Sequence, residues 1–138
     1  MEDTSRRLAG VLFIVLPTVA FGGVSLLTLL ISPESGYMEN PLRQDLWRAG
    51  HAHAGVFLIL SLLILRYVDD ANLSKGLKRF IRIGTPVSAI IVPFSFFFSV
   101  LEADATEPNA LIYLTYIGFG LLTITFLILG VGLLRSRF

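Results

Sequence analysis

The sequence predicts an all-α protein, a bundle of four transmembrane helices with both termini cytoplasmic. Three observations predict it. Of the 138 residues, 54% are apolar and only 15% are charged, whereas a soluble domain carries about a quarter charged residues. The apolar residues fall in four unbroken blocks, each near the roughly 20 residues a helix needs to cross a bilayer. The basic residues gather at alternate ends of those blocks, as topology requires. One domain, residues 1–138, accommodates all four, because the connections are too short to hold another. There is no cysteine, which excludes disulfides, thiolate metal sites and cysteine nucleophiles. A net charge of +1 gives no sign of a nucleic-acid partner.

The first block runs from Leu8 to Ile31. Ser5-Arg6-Arg7-Leu8 is similar to a twin-arginine start, but the apolar run is too long for a signal core and three more spans follow. The second block runs from Ala49 to Val68. Asn40-Pro41 ahead of it reads as an N-cap with proline at the first helical position, so this helix is expected to begin near Pro41 and to place Trp47 at the membrane interface. The third block, Phe80 to Leu101, has Ser74 as its expected cap. The fourth, Ala110 to Leu134, is expected to start from Thr106 or Glu107 before Pro108. Pro17 is expected to bend the first helix, and Pro86 and Pro93 the third.

Small and polar residues form sparse stripes. They are Thr18, Gly22, Ser25 and Ser32 on the first helix, and Ser88, Ser95, Ser99 and Glu102 on the third. On the fourth they are Tyr116, Gly120, Thr123 and Gly130. In lipid such residues make helix contact faces, so the stripes read as packing seams. The third, which ends at Glu102, also reads as a polar path. Gly50 and Ala54 form a small-xxx-small pair that lets a second backbone approach.

Arg6 and Arg7, then Arg66, Lys75, Lys78, Arg79 and Arg82, then Arg135 and Arg137 all fall on one side if four helices cross in turn. Positive residues mark the cytoplasm. The connection Glu102-Ala103-Asp104-Ala105-Thr106-Glu107-Pro108 has no basic residue. His51, His53, Glu102, Asp104 and Glu107 are therefore expected near the outer face.

The segment Arg48-Ala49-Gly50-His51-Ala52-His53-Ala54-Gly55 holds the only two histidines. Imidazole is costly inside a membrane and suits transition metals and haem iron. With Glu102 or Asp104 from the neighbouring connection, the pair offers donors for copper, zinc or iron. Two residues on a helix differ by about 200°, so both rings cannot easily face one ion. His53 continues into the face of Phe57, Leu60, Ser61 and Ile64, and His51 into that of Gly55, Leu58 and Leu62; one histidine is expected to face the bundle. The other is expected to face a loop, a headgroup or a second subunit. Phe94, Phe96, Phe97 and Phe98 read as lipid-facing and packing surface, or as the wall of a macrocycle. No nucleophile–base arrangement or phosphate loop is visible, so acyl or phosphoryl transfer has no support.

The stretch Leu46-Trp47-Arg48-Ala49-Gly50-His51-Ala52-His53-Ala54-Gly55 resembles the second helix of subunit I in haem–copper oxidases. It also resembles small four-span bacterial membrane proteins with a Gly-His-Ala-His motif. The oxidase resemblance implies that His53 is an axial ligand of haem b. The oxidases use many more spans and take further ligands from later helices, whereas this chain has no histidine after His53. Full oxidase activity is excluded.

The sequence thus points to a multi-pass protein of the prokaryotic plasma membrane that binds haem or a transition metal through His51 and His53, with Glu102 and Asp104 in support. A respiratory or electron-transfer accessory role follows. Two other classes stand beside it: a small oligomeric transporter or channel using Glu102 as its membrane acid, and a structural or assembly subunit of a larger complex. The expected partners are lipid and either further copies of the chain or that larger complex.

Overall fold

Each apolar block becomes a helix because, in lipid, only a helix satisfies the backbone from within one segment. A computed structural model describes residues 1–136, and Arg137 lies outside them. The helices are α1 (Asp3–Val15), α2 (Pro17–Ile31), α3 (Pro41–Tyr67), α4 (Lys75–Phe98) and α5 (Leu114–Leu134). Single 3-10 turns lie at Pro33–Ser35, Tyr37–Glu39 and Ala110–Tyr113. α1 and α2 together make the first span, so four helices are long and apolar enough to cross a membrane. This is the architecture of a multi-pass membrane protein.

Local chemistry sets the boundaries. Pro17 stands at the first position of α2 and carries no N–H, which divides the first span in two. Asn40 caps α3 by accepting from the Arg43 amide, and Ser74 caps α4 by accepting from the Leu77 amide. The start of the fourth span differs from expectation: Asn109, not Thr106 or Glu107, accepts from the Leu111 amide. α4 runs through Pro86 and Pro93 without interruption but ends at Phe98. Glu102 therefore lies beyond the helix rather than on its last turn.

α4 is the centre of the bundle. α3 packs along one side and α5 along the other, while α1 and α2 lean on α3. Phe57, Leu58 and Leu65 of α3, Ala89 and Val92 of α4, Leu122 of α5 and Leu12 of α1 form one buried cluster. A second, nearer the basic end, joins Ile64, Val68, Ala71, Ile81 and Leu129. The serines of the third stripe are buried in this seam. Ser88 donates to Gly84 O and Ser95 to Val92 O, and Ser95 also pairs with the Thr115 hydroxyl.

The fourth stripe differs. Tyr116 is 75% exposed, and open space surrounds Gly120 and Gly130. The face of α5 turned to α4 is instead Gly118, Leu122, Thr125, Leu129 and Gly132. The period was right and the phase was not, because both faces of α5 carry small residues.

At the basic end a buried polar cluster ties three segments together. Arg82 Nη2 donates to Asp69 Oδ1 at 2.5 Å and Glu2 Oε2 at 2.6 Å, and Arg82 Nε donates to Ser5 Oγ at 2.9 Å. Ser5 Oγ donates to Asp69 Oδ1 at 2.9 Å, and the Glu2 amide donates to Asp69 Oδ2. Burial alone would raise the Asp69 pKa. The hydrogen bonds from Arg82, Glu2 and Ser5 and the Arg82 charge overcome it and hold the carboxyl below its ordinary value of 3.8.

Two outcomes follow. A methyl at Gly118 would overlap the Val92 side chain, while at Gly120 it would meet nothing within 4 Å. Gly118→Ala is expected to destabilise the bundle by about 1–3 kcal/mol, and Gly120→Ala to leave it unchanged or slightly better, as read by thermal unfolding in detergent. Asp69 is ionised more readily folded than unfolded. Its contribution is therefore full above the ordinary carboxylate range and fades as pH falls through the folded pKa. Asp69→Asn is therefore expected to be less stable than wild type at pH 6, and the gap should narrow as the pH falls toward 3, as read by thermal unfolding in detergent.

Candidate functional site

The two histidines point away from each other, as their separation of about 200° demands. His53 turns inward. Its Nδ1 lies 2.7 Å from Ala49 O, and a carbonyl only accepts, so Nδ1 carries a proton, and in the neutral ring the lone pair then falls on Nε2. Phe57 of α3, Phe96 of α4 and Phe119 of α5 surround the imidazole, with ring centroids 5.3, 5.4 and 5.3 Å away. Phe96 stacks on it and the other two meet it edge to face. His53 is thus oriented by its own helix and half-buried among rings from three.

His51 lies against the first span of the same chain. An added methyl at Gly23 would sit 3.2 Å from His51 Nε2, and one at Gly22 would sit 3.6 Å from Nδ1. These glycines give the imidazole its seat on α2. The expectation that one histidine faces the bundle holds for His53, which shares its face with the buried Phe57, Ser61 and Ile64.

Glu102 and Asp104 are not brought to either histidine. Both are exposed and line an open cavity of about 520 Å³ beside Thr106, Glu107 and Asn109. Among the described residues, no three His, Asp or Glu side chains stand close enough to hold an ion. The physical reason is the early end of α4: the connection carries both acids out toward solvent.

What fixes the depth and rotation of α3 is a set of donors at the end of α4. Trp47 Nε1 donates to Phe97 O, Asn109 Nδ2 to Phe98 O, and the Asn109 amide to Ser99 O. Arg43 Nε donates to Val100 O and Arg43 Nη2 to Leu101 O, at 3.1 and 3.0 Å. The Arg43 guanidinium also lies over the Trp47 ring, 4.3 Å from its centroid. Asn40 Nδ2 continues the row to Ala103 O and Ala105 O. Below this clamp Gly50 admits α4: a methyl there would sit 3.1 Å from Phe97 Cε2 and 3.2 Å from Phe96 Cβ. What approaches Gly50 is thus the Phe96 and Phe97 side chains of α4, and Phe96 reaches on to His53.

Arg43, Asn109 and Phe119 escaped the sequence reading. Arg43 looks like any loop cation, and nothing in its neighbours marks the carbonyls it serves. Phe119 sits in an apolar run with nothing to mark which large residue meets the histidine. Only Phe57, four residues after His53, was legible as sharing its face.

Arg43→Met removes two charge-assisted bonds and a cation–π contact. The cost is expected at about 2–3 kcal/mol. Trp47 is the only tryptophan, so its fluorescence should shift to the red and reports the opening of the clamp directly.

Compared with known proteins, the chain matches no family model, no curated protein and no solved structure.

Proposed function

We propose that this chain is a haem-binding protein of the prokaryotic plasma membrane, with His53 as an axial ligand and an accessory role in electron transfer. The observation that carries the reading is the setting of His53: Nδ1 bonded to Ala49 O, which leaves Nε2 of the neutral ring to donate a lone pair, and aromatic rings from three helices around it. A histidine that ligates metal through one nitrogen commonly donates the other N–H to a carbonyl, which fixes the tautomer. The donor count separates haem from a bare ion. Zinc or copper asks for three or four protein donors, and the residues around His53 offer one. Haem brings four nitrogens of its own and asks for one or two imidazoles. When bound, its iron would supply one-electron redox chemistry.

The residues have separable tasks. His53 binds, Ala49 O orients it, and Phe57, Phe96 and Phe119 exclude water. Seating a macrocycle requires one of those rings to swing aside. A second imidazole, if the haem takes one, would come from another copy of the chain. His51, held on α2, keeps the first span in register with α3. The excess of basic residues at the opposite end supports an orientation with both termini in the cytoplasm and the histidines toward the outside. The geometry lends less to the transporter reading, since Glu102 lies in an exposed connection and the seam serines bond to backbone carbonyls.

The protein, made with haem available and purified in detergent, is expected to hold near-stoichiometric iron per one or two chains and to show haem absorption bands. His53→Ala should lose both. His51→Ala should keep the iron, though with lower thermal stability. Unchanged iron in His53→Ala, or none in wild type, contradicts the proposal.

A further inference from the structure

The basic end carries a second site, independent of the histidines. Two grooves flank the ridge made by Arg79 and Ile83 on α4. The first, about 480 Å³, lies between α1 and α4 and is lined by Lys75, Lys78, Arg79 and Arg82 with Leu8 and Ile83. The second, about 370 Å³, lies between α4 and α5 and is apolar below Arg79: Phe80, Ile83, Gly84, Val87 and Leu121.

The charges in the first groove are not equivalent. Arg82 is matched by Asp69 and by Glu2, whose carboxylate lines the same groove. Lys78 donates to Asp69 O, a neutral acceptor, and among the described residues has no carboxylate within ion-pair distance. Lys75 and Arg79 are exposed, and among the described residues neither has a carboxylate within ion-pair distance. Three cations therefore converge on the first groove, where the one carboxylate, Glu2, is taken by Arg82, and Arg79 on the shared ridge also lines the apolar groove. From Arg79 to Val87 the helix rises about 12 Å, most of the roughly 15 Å hydrocarbon depth of one leaflet. The length and the polarity gradient are those of a phospholipid, with headgroup at the cations and chain along Ile83 and Val87. Basic pockets between transmembrane helices hold anionic headgroups.

We infer that Lys75, Lys78 and Arg79 bind the phosphate of one anionic phospholipid whose acyl chain fills the α4–α5 groove. Phosphate oxygens accept hydrogen bonds from both lysines and the guanidinium, and the apolar groove gives a bound lipid the preference over a free phosphate.

The test is native mass spectrometry of the full chain in detergent, titrated with phosphatidylglycerol, phosphatidylcholine or glycerol 3-phosphate. Phosphatidylglycerol is expected to bind at least roughly tenfold more tightly than the other two. K75Q/R79Q should weaken it by about tenfold or more without changing the circular dichroism spectrum, since both side chains are exposed. Arg66→Gln, at the same end but paired with Asp70, should bind like wild type. Equal binding of phosphatidylcholine, equal binding of glycerol 3-phosphate, an unaffected K75Q/R79Q, or an equal loss in Arg66→Gln would each overturn the site.

Discussion

A helix that stops within or beside the hydrocarbon must find donors for its last carbonyls, because lipid offers none. At the end of α4 the five carbonyls from Phe97 to Leu101 are met by three residues, Trp47, Asn109 and Arg43. Two of these belong to α3 and one to the start of the fourth span. The same bonds that satisfy α4 therefore set how deep α3 sits beside it and where α5 begins. Gly50 then lets Phe96 and Phe97 close onto α3, and the rotation of α3 is fixed. His53 faces inward as a consequence, and His51 faces the first span.

The other end is held by charge rather than by carbonyls. Arg82 joins the N-terminal residues Glu2 and Ser5 to Asp69 after α3. Little of the first span is buried: Leu12 of α1 joins the apolar core, and no residue of α2 is buried. The span is fastened at one end by this cluster and near the other by His51 on Gly22 and Gly23. Between the two fastenings the bundle relies on close contact of apolar and small residues, as lipid gives no hydrophobic drive for helices to associate. Such a design places the polar interactions where helices must be registered.

Much of the fold was legible because membrane crossing is a statement about length and polarity. The four blocks, the caps Asn40 and Ser74, and the serine seam of α4 follow from spacing alone. The phase of α5 did not, since Gly118 and Gly120 look alike until Val92 stands against one of them. Glu102 looked like the end of the serine stripe because helical spacing continues on paper past Ser99. The chain stops being helical there once Arg43 and Asn109 take its carbonyls. The site was half legible. An opposed pair of imidazoles follows from helix geometry, whereas the ring of Phe119 comes from a helix more than sixty residues away in the chain.

The account turns on the tautomer and direction of His53. Nitrogen-15 magnetic resonance of imidazole-labelled protein in lipid bilayers at pH 8, in the haem-free state and with His51→Asn to remove the second signal, reads it directly. A protonated Nδ1 and a bare Nε2 are the predicted result. A proton on Nε2, or rapid exchange between the two nitrogens, would mean that Ala49 does not hold the ring and would contradict the account.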